Sequence, residues 1–172
     1  MSQVYKWIGS PVGQLKLVAG DQGLTAVLWD PDDPRRVRLP ALREAPGHPL
    51  LSQAEQELGD YFAGRRTAFS VPLAFNGTAF QKKVWALLLT IPFGETRSYG
   101  QLAAQLGDPK ASRAVGAANG KNPISIIVPC HRVVGARGRL TGFAGGLDAK
   151  AKLLSLEAIR AQKQDGLRLE DA

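Results

Sequence analysis

Cysteine and histidine are scarce in this sequence of 172 residues: Cys130 is the one cysteine, and His48 and His131 are the two histidines. A single cysteine excludes an internal disulfide. With only two histidines beside it, the ligand spacing of a zinc site cannot be assembled either. We therefore expect no bound metal.

The sequence also lacks a secretory signal. Its first seven residues contain no basic stretch followed by an apolar segment and a small-residue cleavage site. At 44% hydrophobic residues, the chain can bury one good core or two small ones. These features predict a globular, cytoplasmic protein that does not span or bind membranes.

Acidic residues are sparse in the second part of the chain. Residues 1–75 hold eight Lys/Arg and eight Asp/Glu, whereas residues 76–172 hold fourteen and seven, so the whole net charge of +7 belongs to the second part. A basic surface in one domain indicates a polyanionic partner, because phosphate contacts release counterions. Charge alone fits a face kept basic for solubility equally well.

The first part of the chain predicts a small sheet with one helix. An antiparallel meander is predicted by β-type runs between turn residues, at 4–8, 15–19 and 24–29. After a Pro/Arg-rich loop at 31–40, helical spacing predicts a helix over 49–63, and a further short strand is predicted at 68–71. No residue cluster before residue 77 indicates chemistry, so we expect a scaffold domain.

The second part predicts a series of helices. Capping boxes beginning at Thr78 and Ser98 each start a helix with an apolar face. Asp108 and Pro109 then fit the N-cap and first position of a further helix that ends near Gly120. Two helices joined by a tight turn that contains glycine are a helix-turn-helix signal.

Small residues dominate the last of these helices. Only Arg113 and Asn119 carry side chains that could read base edges. Small residues let the helix backbone approach DNA closely, so we expect binding by shape and phosphate contacts with little sequence preference. Two helices packed in a core would give the same pattern, and the basic surplus is what favours DNA.

Cys130 follows an apolar run, residues 124–128, that predicts a buried strand. A cysteine at a strand end suits a nucleophile, although a lone cysteine is more often a small buried hydrophobe. His131 is adjacent, and a water could bridge it to the sulfur. Glu157, on a helix that Asp148 is expected to cap, could orient His131 and complete a Cys-His-Glu relay.

Four short motifs together resemble the O6-methylguanine-DNA methyltransferase family. They are Pro-Cys-His-Arg-Val at 129–133, Arg-Ala-Val-Gly at 113–116, Asn-Pro at 122–123 and Gly-Phe-Ala-Gly-Gly at 142–146. The match spans about residues 80–157, and before residue 80 it rests on length and element order. Length and the lack of extra cysteines are similar to the Ogt type, and unlike the zinc-bearing adaptive-response member.

The resemblance implies an α/β (α+β) fold. A small ribonuclease-H-like N-terminal domain would span residues 1–76, and a C-terminal winged helix-turn-helix domain would span residues 77–172. The protein would act as a monomer on double-stranded alkylated DNA. The winged domain would enter the minor groove and flip the damaged nucleotide into a pocket.

The implied activity is direct repair by a single-turnover methyltransferase. Cys130 would accept the alkyl group from O6-alkylguanine, with O4-alkylthymine as a second candidate substrate. His131 would take the thiol proton through water, Glu157 would hold His131, and Tyr99 would rotate the nucleotide and protonate the departing guanine. Water does not hydrolyse the resulting thioether, so the protein is spent after one event and needs no cofactor.

The resemblance also implies DNA-binding and pocket residues. Arg113 would fill the gap left in the base stack. The other DNA contacts would come from Tyr99 and from the start of the recognition helix, at Lys110, Ser112 and Ala114. Asn122 would join that helix to the active-site turn, and the rest of the pocket would be formed by Pro129, Val133, Phe143 and Ala144. Backbone carbonyls at Cys130 and Val133 would recognise the guanine amino group.

One departure from the family pattern concerns the pocket. Family members often carry a tyrosine and a serine where this chain has Phe143 and Ala144, so a hydroxyl near the guanine oxygen is missing. The backbone N–H of Ala144 could still donate there. Our hypothesis is that the lost bulk and hydroxyl widen the pocket toward longer alkyl groups.

Three other functions are alternatives. A lesion-flagging alkyltransferase-like protein would bind alkylated guanine without chemistry, but such proteins replace the cysteine that Cys130 retains. A Cys-His hydrolase would need turnover and an oxyanion hole. A winged-helix transcription factor would need base-reading side chains, which the small-residue helix lacks.

Overall fold

The computed structural model describes the backbone of residues 2–170 and the side chains of residues 2–163. The first half is a four-stranded sheet in the order β3-β2-β1-β4, with strands β1 (Gln3–Ile8), β2 (Leu15–Ala19), β3 (Leu24–Trp29) and β4 (Leu42–Glu44). The first three strands form the predicted antiparallel meander. The fourth pairs parallel to β1 and was not predicted.

Both faces of this sheet are covered. Helix α1 (Pro49–Phe62) begins at a proline and is followed by Gly64 at φ +79°, as the sequence predicts. Its buried residues Leu51, Ala54 and Leu58 belong to one core with β1–β3. On the opposite face, Val37 and Leu39 of the 31–40 loop pack over a second, smaller cluster.

The strand predicted at 68–71 is wrong. The carboxylate of Glu57 accepts hydrogen bonds from the backbone N–H groups of Ser70 and Val71, at 2.9 and 3.1 Å, and from the Ser70 hydroxyl at 2.7 Å. A buried side chain thus takes the donors that a neighbouring strand would have paired. Only Leu73, further along, bridges to Leu24 of the sheet.

The second half is mainly helical. Its elements are α2 (Ala79–Leu88), β5 (Arg97–Ser98), α3 (Tyr99–Gln105), α4 (Ser112–Gly120), a 3₁₀ turn (Cys130–Arg132), β6 (Val133–Val134), a second 3₁₀ turn (Ala136–Gly138) and α5 (Leu147–Glu170). Both predicted capping boxes are present, at Thr78 and Ser98. Helices α3 and α4 form the helix-turn-helix, and residues 135–146 form the wing after β6. None of the helices described in residues 2–170 has the length and apolarity that crossing a membrane requires.

Two predicted helix starts are wrong. Helix α4 begins at Ser112, because Asp108 instead closes a tight turn: its carbonyl accepts from Ala111 N at 3.0 Å and its carboxylate from Lys110 N at 3.2 Å. Asp and Pro favour the first two positions of such a turn as much as a helix start. Helix α5 begins one residue before Asp148, which therefore lies in the first turn and does not cap it.

The strand predicted at 124–128 is also wrong, although its burial was predicted correctly. Only Ile124 bridges to the sheet, at Val27, and the chain then folds back in a turn that contains Ile126 at φ +72°. Val128 N donates to Ile124 O at 3.0 Å. A β-branched residue at positive φ is strained. The segment before Cys130 is therefore a buried turn that the surrounding structure must hold in place.

Candidate active site

Cys130 is the first residue of the 3₁₀ turn and is 5% exposed. Burial raises the pKa of its thiol, and the side chain of Asn122 and the charges of Arg36 and Lys150 lower it less than burial raises it. The resting sulfur is therefore protonated at neutral pH. A base is needed before this cysteine can act as a nucleophile.

Asn122 holds the buried turn that presents Cys130. Its side-chain oxygen accepts from Ile124 N at 3.0 Å, and its side-chain nitrogen donates to Val128 O at 2.9 Å. Asn122 is fully buried and is the second residue after the end of α4. Helix α4 and the turn at residues 124–128, called here the cysteine turn, are thus joined through one amide side chain.

A buried carboxylate lies behind His131. Glu157 of α5 accepts from His131 Nε2 at 2.8 Å, and Arg132 donates to both oxygens of the same carboxylate, at 2.8 and 3.1 Å. The third guanidinium nitrogen of Arg132 donates to Ile91 O at 2.6 Å. A neutral imidazole, an ionised carboxylate and a guanidinium therefore form one buried cluster.

The protonation state of this cluster follows from its contacts. Burial alone would raise the pKa of Glu157, but the hydrogen bonds from His131 and Arg132 and the positive charge of Arg132 outweigh it and lower the value to about 2. Burial lowers the pKa of His131 more than Glu157 raises it. Because an ionised Glu157 can only accept, Nε2 of His131 carries the proton and Nδ1 is the basic nitrogen. Among the described residues, Nδ1 has no hydrogen-bond partner.

Lys150 is a buried cation near the sulfur that sequence reasoning missed. Lys150 lies on α5 and is fully buried. Its Nζ donates to Val133 O at 2.6 Å and to Thr141 O at 3.4 Å. The Val133 carbonyl, expected to bind the guanine amino group, is thus already engaged by one donor. A carbonyl oxygen has two lone pairs and can accept a second hydrogen bond.

The residues expected to contact DNA lie apart from this cluster. Arg113 and Ala114 are exposed on α4, Ser112 is half-buried at its start, and Lys110 is exposed in the preceding turn. Arg113 forms no hydrogen bond or ion pair with any residue whose side chain is described.

Tyr99 and the wing form the other side of the site. Tyr99 opens α3, and its hydroxyl shares a hydrogen bond of 2.6 Å with the Thr141 hydroxyl. Ala144 is half-buried, and the ring of Phe143 packs edge-on against Trp29, with centroids 5.3 Å apart. The Pro129 carbonyl accepts from Arg132 N at 3.0 Å and so closes the 3₁₀ turn.

The N-terminal half contacts the site directly, although the sequence predicted only a scaffold role for it. Trp29 Nε1 donates to Ser125 Oγ at 3.1 Å, and Val27 N donates to Pro123 O at 2.9 Å, so the end of β3 holds the start of the turn that precedes Cys130. Arg36 donates to Asn122 O at 2.8 Å and pairs with Asp32. The only available sequence signal was that buried Trp and Arg need polar partners.

Two family models and several known proteins match this chain. Residues 79–159 match the family described as 6-O-methylguanine DNA methyltransferase, DNA binding domain, and residues 3–75 match its ribonuclease-like domain. The methylated-DNA-protein-cysteine methyltransferase of Mycobacterium tuberculosis is 50% identical over 159 residues, covering 91% of this chain and 93% of that protein. The protein of the same name from Methanosarcina acetivorans is 48% identical over 153 residues, covering 89% and 97%. The crystal structure of M. tuberculosis OGT in complex with DNA has a TM-score of 0.83 at 50% identity, covering 91% of this chain and 94% of that one.

Proposed function

Because this chain belongs to the 6-O-methylguanine DNA methyltransferase family, we propose that it repairs O6-alkylguanine in DNA by moving the alkyl group onto Cys130. The observation that carries this proposal is the buried Cys130, followed directly in the chain by His131, whose Nε2 is hydrogen-bonded to an ionised Glu157. The N-terminal half contributes the sheet that holds the cysteine turn. The domain division at residues 76 and 77 belongs to the same proposal.

The chemical step follows from the protonation states. A water carries the Cys130 proton to His131 Nδ1, and the thiolate attacks the alkyl carbon. The S–C bond forms as the C–O6 bond breaks, and the bonding pair stays on guanine, which takes a proton from the Tyr99 hydroxyl. The proton on His131 then returns to Tyr99 through solvent. The product is a thioether, so one chain removes one alkyl group.

The DNA would be held by the winged helix-turn-helix. An exposed Arg113 on a helix of small residues fits close approach in the minor groove, with the guanidinium filling the space of a flipped nucleotide. The phosphate contacts of Lys110 and the basic C-terminal half supply affinity with little sequence preference. We propose that the protein works as a monomer in the cytoplasm.

A lesion-flagging protein is the second candidate. It would use the same DNA-binding surface and the same pocket but perform no transfer. In that case Cys130, whose thiol is buried and has a raised pKa, would be a structural residue. The two functions differ in whether the protein gains mass.

Intact mass measurement tests the proposal. The protein is incubated with a duplex oligonucleotide that carries one O6-methylguanine, with an O4-methylthymine duplex and the Cys130→Ser variant in parallel. We expect a gain of one methyl group on Cys130, saturating at one per chain and absent from the variant. Tight binding without mass gain would establish the lesion-flagging function, and neither binding nor transfer would overturn both.

A further inference from the structure

We infer that Tyr61, on helix α1 of the N-terminal half, is a positioning residue for alkyl transfer, because it fixes the carboxylate that orients His131. Its hydroxyl donates to Glu157 Oε2 at 2.6 Å. Both side chains are buried, Tyr61 fully and Glu157 at 1% exposure. The inference rests on the proposed function and extends it to a residue of the N-terminal half.

The Glu157 carboxylate is saturated with donors. Its Oε2 accepts from Tyr61, from His131 Nε2 and from one nitrogen of Arg132, while Oε1 accepts from Arg132 Nε. Burial and the charge of Glu157 both raise the pKa of Tyr61, so the phenol keeps its proton and remains a donor. Arg132 approaches from the 3₁₀ turn and Tyr61 from α1. The two donors together fix the plane of the carboxylate from different sides.

This fixed plane determines the geometry of His131. The imidazole can donate from Nε2 only while Oε2 stays in its present place, and only then is Nδ1 held as the base. Without the Tyr61 hydroxyl, Oε2 would lose its short neutral donor, and only His131 and Arg132 would hold the carboxylate. The negative charge of Oε2, now partly neutralised by the Tyr61 hydroxyl, would then act more strongly on His131. The pKa of His131 would therefore rise.

The ring of Tyr61 and its hydroxyl can be separated experimentally. The ring packs against Phe62, Phe69 and Phe93, with centroids 5.2, 5.6 and 6.2 Å away. Tyr61→Phe keeps all three contacts and removes only the oxygen. The variant therefore tests the hydrogen bond to Glu157 with the aromatic packing in place.

The experiment compares the wild type, Tyr61→Phe and the control Tyr5→Phe, which removes a phenol from β1, away from the site. Single-turnover methyl transfer is measured at saturating duplex across pH, and DNA affinity is measured separately. Tyr61→Phe should slow transfer by about tenfold, as expected for loss of a hydrogen bond to a charged group. Since a raised His131 pKa moves the acid limb of the rate profile to higher pH, that limb should shift, while Kd for DNA and the Tyr5→Phe profile stay unchanged.

A second readout is independent of alkyl transfer. The chain has two histidines, so ¹⁵N imidazole resonances report on His131 with His48 as the internal reference. In Tyr61→Phe, the His131 resonances and their titration should move and those of His48 should not. Unchanged His131 resonances and an unchanged pH profile would overturn the positioning role while wild-type transfer still upheld the proposed function. A wild type that transfers nothing would overturn the proposed function itself, and this inference with it.

Discussion

The backbone of Gly145 lies against the indole of Trp29, so closely that a Cβ atom built on Gly145 would lie 2.6 Å from the ring. The same indole donates to Ser125 in the turn before Cys130 and contacts the edge of Phe143. One side chain at the end of β3 therefore touches the chain on both sides of the cysteine. Its position sets the spacing between the cysteine turn and the end of the wing.

We expect Gly145→Ala to disturb this spacing. The added methyl group would overlap a buried ring that has little room to move, which typically costs roughly 1–3 kcal/mol of unfolding free energy. The matched control is Gly142→Ala, because a Cβ at Gly142 meets nothing within 4 Å. Urea unfolding and the methyl-transfer rate should both be impaired in Gly145→Ala only. Equal behaviour of the two variants would show that the Trp29 contact is not restrictive.

The stability of the protein should depend on pH through Glu157. Its pKa in the folded protein, about 2, lies below its ordinary value of 4.5. A depressed carboxylate pKa stabilises the fold fully above pH 4.5, and this stabilisation is lost as pH falls toward 2. At neutral pH the contribution is about 3 kcal/mol from the size of the shift.

When the pH is lowered from neutral to acidic, Glu157→Gln should therefore lose less unfolding free energy than the wild type. Urea unfolding at each pH measures this difference. Glu57→Gln is the matched comparison. Burial would raise the pKa of Glu57, but hydrogen bonds from Ser70, Gln53 and Val71 lower it. Both variants should flatten the acid dependence, and only Glu157→Gln should also slow transfer. A Glu157→Gln curve as steep as that of the wild type would contradict the assigned ionisation.

Local signals in the sequence were sufficient for the helices that begin at Thr78 and Ser98. In both, the N-cap and the residue three positions later satisfy each other's backbone donors, so the start is encoded within four residues. Asp108 and Pro109 show the limit of such signals, because the same pair opens a turn or a helix. Residues 124–128 show another limit. Their apolar run predicts burial, but the segment is a turn because of hydrogen bonds from Asn122, and these leave no periodic pattern in the sequence.

The sequence predicted the site residues that belong to the family resemblance. It did not predict those that only the fold brings close to them. Cys130, His131 and Glu157 were proposed as a relay from the sequence, the resemblance implied their roles, and the structure brings His131 and Glu157 into contact. Tyr61 is separated from Glu157 by 96 positions, and no local pattern links a residue on α1 to one on α5. Lys150 could have been suspected, since it lies at helical spacing from Glu157 on a face that is otherwise apolar.

Lys150 should lower the pKa of the cysteine by charge. Lys150→Met removes a buried ammonium that favours the Cys130 thiolate, so the thiol pKa should rise and transfer at neutral pH should slow. Thiolate absorbance, measured as a pH difference against Cys130→Ser, reports on this sulfur alone because the chain has one cysteine. Lys152→Met, an exposed neighbour on α5, should leave the titration unchanged. A titration that does not move in Lys150→Met would mean that the ammonium serves only the Val133 and Thr141 carbonyls.

The alkyl-size preference should depend on Ala144. A serine at this position would add a hydroxyl and bulk beside the backbone N–H that we expect to face the guanine oxygen. Ala144→Ser should therefore favour methyl over benzyl transfer relative to the wild type, because the larger group needs the space that the side chain fills. The ratio of single-turnover rates on O6-methylguanine and O6-benzylguanine duplexes measures this directly. Phe143→Tyr is the companion variant, since it restores the other family residue at a ring held by Trp29. If Ala144→Ser leaves the ratio unchanged, the missing hydroxyl does not set the size of the pocket.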